Sequence, residues 1–426
     1  MPPHPELIEQ NSQFEKQVIE LAPNVYGAVG FAASNVYMLI GDDGLVIIDT
    51  TETTKAAENI FTEFRKVTDK PVKTIIYTHS HRDHISGATV FAEGVDPEII
   101  AHDGFKSDIV DVDTSRPTPN KAMMARTKRQ FGFGLSNPDE RVNLGVGPGN
   151  RPLEGMGAGY IPPTTLIAEE RSKISRCRLE LELVKAPGET PDHLVIWFAD
   201  KRILFCGDNY YSSFPNLYAI RGTPYRDYDA WADTIDLLLE FEPDVLATGH
   251  TMPVTNSSRI REVLTDYRDA IRHVVSETVN GMNVGLDPVT IAANLRLPAN
   301  LAEKPYLKEF YGHIGYASRA YFAGTMGWFD GNPTSLRRLP PAEEASKFIA
   351  LAGGASQVVN AGNSALESSE AQWAMELADR LIAAQTEIAA AQGIKVKAMR
   401  LLADQTVNAP TRNYYLLSAY ELERGE

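Results

Sequence analysis

Between Thr78 and His84 the chain reads Thr-His-Ser-His-Arg-Asp-His, which sets His79, His81, Asp83 and His84 within six positions. So many donor atoms in so short a stretch compete for water unless a cation gathers them. Neutral imidazole and ionised carboxylate are the ligands that zinc favours. In an extended turn, alternate residues can serve one metal while the next pair serves a second about 3.5–4 Å away, the arrangement of two-metal sites that activate water. A lone His-x-His would carry little weight. The full HxHxDH spacing is hard to explain as a polar surface loop.

Two metals need further ligands, and three stand where apolar, strand-like runs end. Glu189 lies in Ala186-Pro187-Gly188-Glu189-Thr190-Pro191-Asp192-His193, Asp208 follows Phe205-Cys206-Gly207, and His250 follows Val245-Leu246-Ala247-Thr248-Gly249. Alone, a carboxylate after glycine often only caps a turn. Together they complete a candidate set of His79, His81, Asp83, His84, Glu189, Asp208 and His250. His193 reads as a partner of that set rather than a ligand. Asp49, at the end of a buried run, reads as an acceptor that orients the imidazoles. Tyr210 could donate to a leaving oxygen, although aromatic packing is the better reading; His102, His273 and His313 sit in strand or helix patterns and read as structural.

The elements that must hold these residues follow from periodicity. Residues 24–50 predict two strands around the turn Gly41-Asp42-Asp43-Gly44. Ala56 to Val67 has helical spacing and precedes a buried strand, Val72–Tyr77, a β-α-β order that implies a partly parallel sheet with His79 just past a strand end. A strand at Glu98–His102 leads into a polar, glycine-rich stretch, roughly 103 to 165, expected to be a lid or substrate wall without regular structure. Strands Arg178–Val184, Leu194–Phe198 and Arg202–Cys206, a helix over 228–241 and a strand at Val245–Ala247 predict a second β half. From about residue 257 only helical patterns follow, as in REVLTDYRDAIRHVV. The expected fold is α/β, two mixed halves over residues 1–256, followed by an all-helical domain over 257–426. Of Tyr311, His313, Tyr316, Arg319 and Tyr321, some could wall a pocket; core packing accounts better for most.

Composition narrows the function. The 426 residues suffice for one large and one smaller domain. Hydrophobic residues at 43% and charged residues at 23% are ordinary for a globular protein, and no apolar run reaches the roughly 20 residues of a membrane span. A net charge of -15 argues against a surface that tracks phosphates, so nucleic acid is not an expected partner. The N-terminus, MPPHPELIEQNSQFEK, has neither a basic start nor an apolar stretch, which leads to an expected cytoplasmic location. Only Cys177 and Cys206 are present, in separate strand-like segments. They suit buried thiols, which leaves histidines and carboxylates to hold any metal.

These motifs carry a resemblance. Residues 24–250 resemble the metallo-β-lactamase superfamily, where HxHxDH, a third-ligand motif usually written GHTPGH, an Asp after a buried strand and a final His recur in this order. Here Gly188-Glu189-Thr190-Pro191-Asp192-His193 has Glu189 where most members have His. That exchange, the Thr-His-Ser-His-Arg-Asp-His form of the first motif, and Gly327-Trp328-Phe329-Asp330-Gly331-Asn332-Pro333 within a helical domain resemble the class III alkylsulfatases over nearly the whole chain. The resemblance implies an αβ/βα metallo-β-lactamase-type sandwich followed by a helical dimerisation domain, a homodimer, and two Zn2+ per chain. It implies His79, His81 and Glu189 on one metal, Asp83, His84 and His250 on the other, and Asp208 bridging them. A shared water made acidic by the pair would then cleave primary or secondary alkyl sulfates into alcohol and sulfate. Arg221 and Arg226 match the arginines of the sulfatase pattern and, with Asp83, form the expected catalytic set, because a planar guanidinium pairs with sulfate oxygens through two parallel hydrogen bonds.

Three departures from that pattern stand out. Asp208 occupies a position where the family commonly has Glu. Phe131-Gly132-Phe133 stands where a Tyr-Gly-Asn is implied beside the sulfate. The chain ends at Glu426 without the sterol-carrier-like domain that offers a groove for the alkyl tail, which weakens the expectation of long-chain detergents. The expected partner is a small anionic sulfate ester, not a membrane. A carboxylic ester, lactone or phosphoester is the rival substrate for the same site. A non-catalytic binding protein is disfavoured, since every ligand position is filled by a competent residue.

Overall fold

The structure, a computed structural model, describes residues 2–107, 117–135 and 137–425. Val36–Ile40 and Leu45–Ile48 are almost wholly apolar and almost wholly buried, as strands covered on both faces must be. They pair antiparallel across the Gly41–Gly44 turn. Leu45–Ile48 then runs parallel to Val72–Ile76, which runs parallel to Glu98–His102 and that strand to Thr165–Ile167. On the other side Val25–Val29 and Gln17–Ala22 complete a seven-stranded sheet in chain order. Residues 24–50 thus hold three strands rather than the expected two, and Gln17–Ala22 is a further one, half-exposed and so lacking a clean apolar alternation.

A six-stranded sheet follows, ordered Val254–Thr255, Val245–Thr248, Ile203–Gly207, Leu194–Phe198, Leu179–Lys185, Arg171–Arg176. Its one parallel pair, Ile203–Gly207 with Val245–Thr248, is joined through helix Tyr228–Glu240. Ile48, Ile76 and Ile100 of the first sheet meet Leu183, Ile196 and Phe205 of the second in one buried layer. Helix Thr54–Phe64 covers the outer face of the first sheet through Ala57, Ile60 and Phe64. Trp231, Ile235 and Leu238 cover the second, giving the helix-sheet-sheet-helix sandwich that the resemblance implies. The parallel strands all point to one edge, so Asp49, His79, Asp208 and His250 emerge together.

The stretch expected to lack regular structure contains helix Asn120–Gln130. Its sequence, NKAMMARTKRQ, has no apolar stripe, and only Gln130 is buried, so periodicity gives no signal; residues 108–116 of that stretch lie outside the described residues. Past Thr255 there is no strand among the described residues. Helix Ser257–Asn283 shares a core with Tyr228–Glu240 through Tyr267, Ile271 and Val274. The later helices Pro341–Leu351, Ala355–Glu367, Ala371–Ala383 and Ile388–Gln405 build a core of their own around Val358, Leu377, Leu381 and Ile394. The last helix, Ala409–Arg424, returns to Asn120–Gln130: Arg129 Nε donates to Glu421 at 2.6 Å, and Asn413 Nδ2 to the Gln130 carbonyl at 3.3 Å. Among the described residues no helix is long and apolar enough to cross a membrane. Cys177 and Cys206 are buried and unpaired with each other, as expected.

Candidate metal centre

His79 follows strand Val72–Ile76, and Arg82–Ile85 forms a single helical turn that brings Asp83 and His84 back toward it. Asp49 fastens this loop from below. It accepts from the Thr78 backbone N–H and hydroxyl, each at 2.8 Å, and faces His84 Nδ1 at 2.8 Å. Asp49 takes a left-handed backbone, φ 57, a conformation costly for a residue with a side chain and retained where surrounding contacts enforce it. His250 Nδ1 donates to the Ala33 carbonyl at 2.6 Å. In both rings the outward nitrogen is thus engaged and Nε2 is turned inward, the arrangement by which outer partners aim metal-binding imidazoles.

The inward atoms converge. Asp208 Oδ1 lies 3.3 Å from His84 Nε2, and Asp208 Oδ2 lies 3.1 Å from His250 Nε2 and 3.6 Å from His79 Nε2. Asp83 Oδ2 is 3.4 Å from His250 Nε2 and 3.6 Å from His84 Nε2. Ligands about 2.1 Å from a tetrahedral ion stand roughly 3.4 Å apart, so these separations are those of donors around cations. Three groups bring their ligand atoms within 4.8 Å of one another: His79, His84 and Asp208; Asp83, His84 and His250; His81, Glu189 and Asp208. The buried Nε2 atoms of His79 and His84 and Oδ1 of Asp208 make no hydrogen bond among the described residues. Orphaned buried polar atoms are costly, and a metal is a partner that would satisfy them.

The electrostatics divide the histidines, favouring the neutral form of His79 and His81 and the charged form of His84 and of His250, which, against burial, Asp208 lifts to about 9. Burial drives His79 and His81 well below the usual histidine range, toward the neutral form that ligates. Burial would lower His84 too, but the carboxylates of Asp208 and Asp49 lift it well above that range. Against burial, His250 and His84 hold Asp208 well below the usual carboxylate range. Close approach depends on glycine: a Cβ on Gly249 would lie 2.2 Å from Asp208 Oδ1. His193 Nε2 accepts from the Asp208 backbone N–H at 3.0 Å, and its ring stacks on His79 at 4.1 Å, so it supports the centre as a neighbour. Asn209 Nδ2 donates to the Ala186 carbonyl at 2.9 Å, tying the Asp208 loop to the Glu189 loop.

The centre opens into a cavity of about 510 Å³. His81, Asp83, Glu189, Asp208, His250 and Arg221 form its polar floor, while Met123, Met124, Phe131, Phe133 and Met156 form an apolar wall. Phe131 and Phe133 stack at 5.7 Å. Arg221 is held by its backbone N–H, which donates to Gln130 Oε1 at 2.9 Å. Arg226 is placed differently from expectation. Its guanidinium is buried and does not line the cavity; Nη1 lies 2.7 Å from Glu189 Oε1. Sequence patterns missed the helix that carries Met123 and Met124. Of the tyrosines weighed, Tyr311 lines the cavity, Tyr316 bonds Thr411 at 3.0 Å and Tyr321 packs on Tyr228 at 5.3 Å. His313 caps helix Ile314–Met326 by accepting from the Gly315 N–H, and Tyr210 packs on Tyr267 at 5.0 Å.

Comparison with known proteins agrees over the whole length. The metallo-beta-lactamase superfamily profile matches residues 29–250, and an alkyl sulfatase dimerisation profile matches residues 287–425. A linear primary-alkylsulfatase of a Pseudomonas species is 35% identical over 91% of this chain and 73% of its own length. An alkyl/aryl-sulfatase of Saccharomyces cerevisiae is 31% identical over 96% of this chain, which spans 64% of that relative. The solved structure of the stereoselective inverting sec-alkylsulfatase Pisa1 from Pseudomonas superposes with a TM-score of 0.90 at 29% identity, covering 99% of this chain and 68% of that one.

Proposed function

Because the chain belongs to the metallo-β-lactamase superfamily and, within it, to the alkylsulfatase family with its dimerisation domain, we propose that it hydrolyses alkyl sulfate esters to alcohol and sulfate. One observation carries the reading: a single cavity joins the cluster of metal-competent side chains to a fixed guanidinium and a wall of methionines and phenylalanines. That pairing suits a ligand with an anionic head and an apolar tail.

We assign two zinc ions per chain, one to His79, His81 and Glu189, the other to Asp83, His84 and His250, with Asp208 shared. Such a pair, when bound, supplies a water acidic near neutrality and positive charge at the reacting group. The remaining work falls to the chain. Arg221 binds and orients the sulfate oxygens on the cavity floor. The Met123, Met124, Phe131 and Phe133 side chains hold the alkyl tail and exclude water from the head group. Asp83, half-exposed in the cavity, would hold the metal through Oδ2, the oxygen that faces His84 and His250, which leaves Oδ1 to take up a proton. Residues 1–256 are assigned the catalytic role and 257–426 the helical, dimerising one. We infer that the homodimer interface includes exposed apolar side chains of the segment matched by the dimerisation profile, Met326, Trp328, Leu336 and Leu351 among them.

The experiment sets metal-loaded protein against alkyl sulfates, aryl sulfates, lactones and phosphoesters side by side, with elemental analysis of the same sample. Sulfate release from alkyl sulfates and about two zinc per chain are expected. Preferred turnover of lactones or phosphoesters, or active protein without stoichiometric metal, would overturn the assignment.

A further inference from the structure

Glu189 and Arg226 are both removed from water, each side chain 3% exposed. Besides facing Glu189 Oε1 at 2.7 Å, Arg226 Nη1 donates to the backbone carbonyl of Asn216. On the far oxygen, the Tyr211 hydroxyl accepts from the Asn216 N–H at 2.8 Å and is left to donate to Glu189 Oε2 at 3.4 Å. Glu189 is therefore gripped from behind while still lying within ligand distance of His81 and Asp208.

Charge counting gives this grip a purpose. With a neutral imidazole at this position, the carboxylates around the centre would be Asp83 and Asp208; Glu189 adds a third. A buried carboxylate without a compensating partner is strongly disfavoured, and so is a buried guanidinium. Arg226 brings the sum back by one charge and, through Nη1 shared between Glu189 Oε1 and the Asn216 carbonyl, ties Glu189 to the loop behind it. It is not among the residues that line the cavity, and its Nη1 is taken up by Glu189 and the Asn216 carbonyl, which favours the carboxylate over a substrate anion as its partner.

We propose that Arg226 is the built-in counter-ion of Glu189, a positioning residue, and that the two form one exchangeable unit equivalent to a neutral histidine beside an apolar side chain. The inference rests on the reading of Glu189 as a metal ligand. It predicts that neither member can be replaced alone and that both can be replaced together.

The test compares Arg226→Met, Arg226→Lys, Glu189→His, Glu189→Gln and the double variant Glu189→His/Arg226→Met. Zinc affinity is read by chelator competition, metal content by elemental analysis, and the thermal midpoint of chelated protein by circular dichroism. Arg226→Met should weaken one of the two zinc sites by about 10- to 100-fold, the range found for outer partners of metal ligands. Arg226→Lys should recover part of that loss. Glu189→His should lower the thermal midpoint of the chelated protein by stranding a buried guanidinium, and the double variant should regain both affinity and midpoint. Wild-type zinc affinity in Arg226→Met would overturn the proposal, as would a double variant that only adds the two single losses. An elevated KM for alkyl sulfates at unchanged metal content would place Arg226 on the substrate and overturn it equally. If Glu189→Gln keeps both zinc ions at wild-type affinity, the ligand reading falls and the inference with it; if it loses one while Arg226→Met does not, only the inference falls. Should Arg226→Met not fold, Arg226→Lys and the double variant decide the matter.

Discussion

Replacing Arg221 by alanine removes one of the two guanidinium groups that line the cavity, the other being Arg82, while leaving the proposed ligands in place. The loop itself should persist, since it is held by the backbone N–H of Arg221 on Gln130 Oε1 at 2.9 Å, a bond alanine can also make. Unit charges about 4 Å apart at an effective dielectric of ~20 attract by roughly 4 kcal/mol. Arg221 is only half-buried, so water replaces part of that attraction once the side chain is gone. Losing one preorganised donor in a comparable site costs ~2.7–4 kcal/mol, and the lower end of that range, about 10²-fold in kcat/KM, is the expectation here. The assay measures kcat/KM on alkyl sulfates together with inhibition by an alkanesulfonate and by the alcohol of the same chain length. The sulfonate should weaken about as much as catalysis does, the alcohol should hardly change, and zinc content should stay the same. Equal weakening of the charged and the neutral inhibitor would refute the anion-binding role and show that Arg221 only shapes the loop.

Three further outcomes follow from particular contacts. Asp49→Asn exchanges the carboxylate that anchors both Thr78 and His84, and should lower zinc affinity by about 10- to 100-fold; chelator competition giving the wild-type value would show that the imidazole needs no such anchor. Met123→Asn should flatten the gain in kcat/KM per added methylene, which an apolar wall sets at up to about fourfold, or ~0.8 kcal/mol; an unchanged slope over a chain-length series would put the alkyl tail elsewhere. Trp328→Glu places a charge on a side chain that is 74% exposed within one chain, and light scattering should report a monomer; a dimer of unaltered mass would remove Trp328 from the interface.

How much of this the sequence disclosed depended on how local each feature is. His79, His81, Asp83 and His84 belong to one turn, and their spacing alone places their donor atoms near a common point. Glu189, Asp208 and His250 each follow an apolar run, and parallel strands deliver their C-terminal ends to one edge, so those positions were also readable. Buried strands and the crossover helices announce themselves by unbroken or periodic apolar residues, whereas Gln17–Ala22 and Asn120–Gln130, half-exposed or polar, do not. A substrate wall was expected within residues 103–165, but the helix that builds it was out of reach for the same reason: Asn120–Gln130 is fixed by Arg129 on Glu421 and Asn413 on Gln130, partners almost 300 positions away that no spacing rule connects. Arg226 shows the limit most clearly. A guanidinium near a metal motif suits a substrate anion or a buried carboxylate equally well, and which one it meets depends on which side of the Asn216 loop it is folded beneath. The residue types fixed what chemistry was available, because donor atoms and charge are properties of the side chain. Burial is a property of packing, and only the folded chain decided which of those charges is removed from water and must therefore find a partner inside.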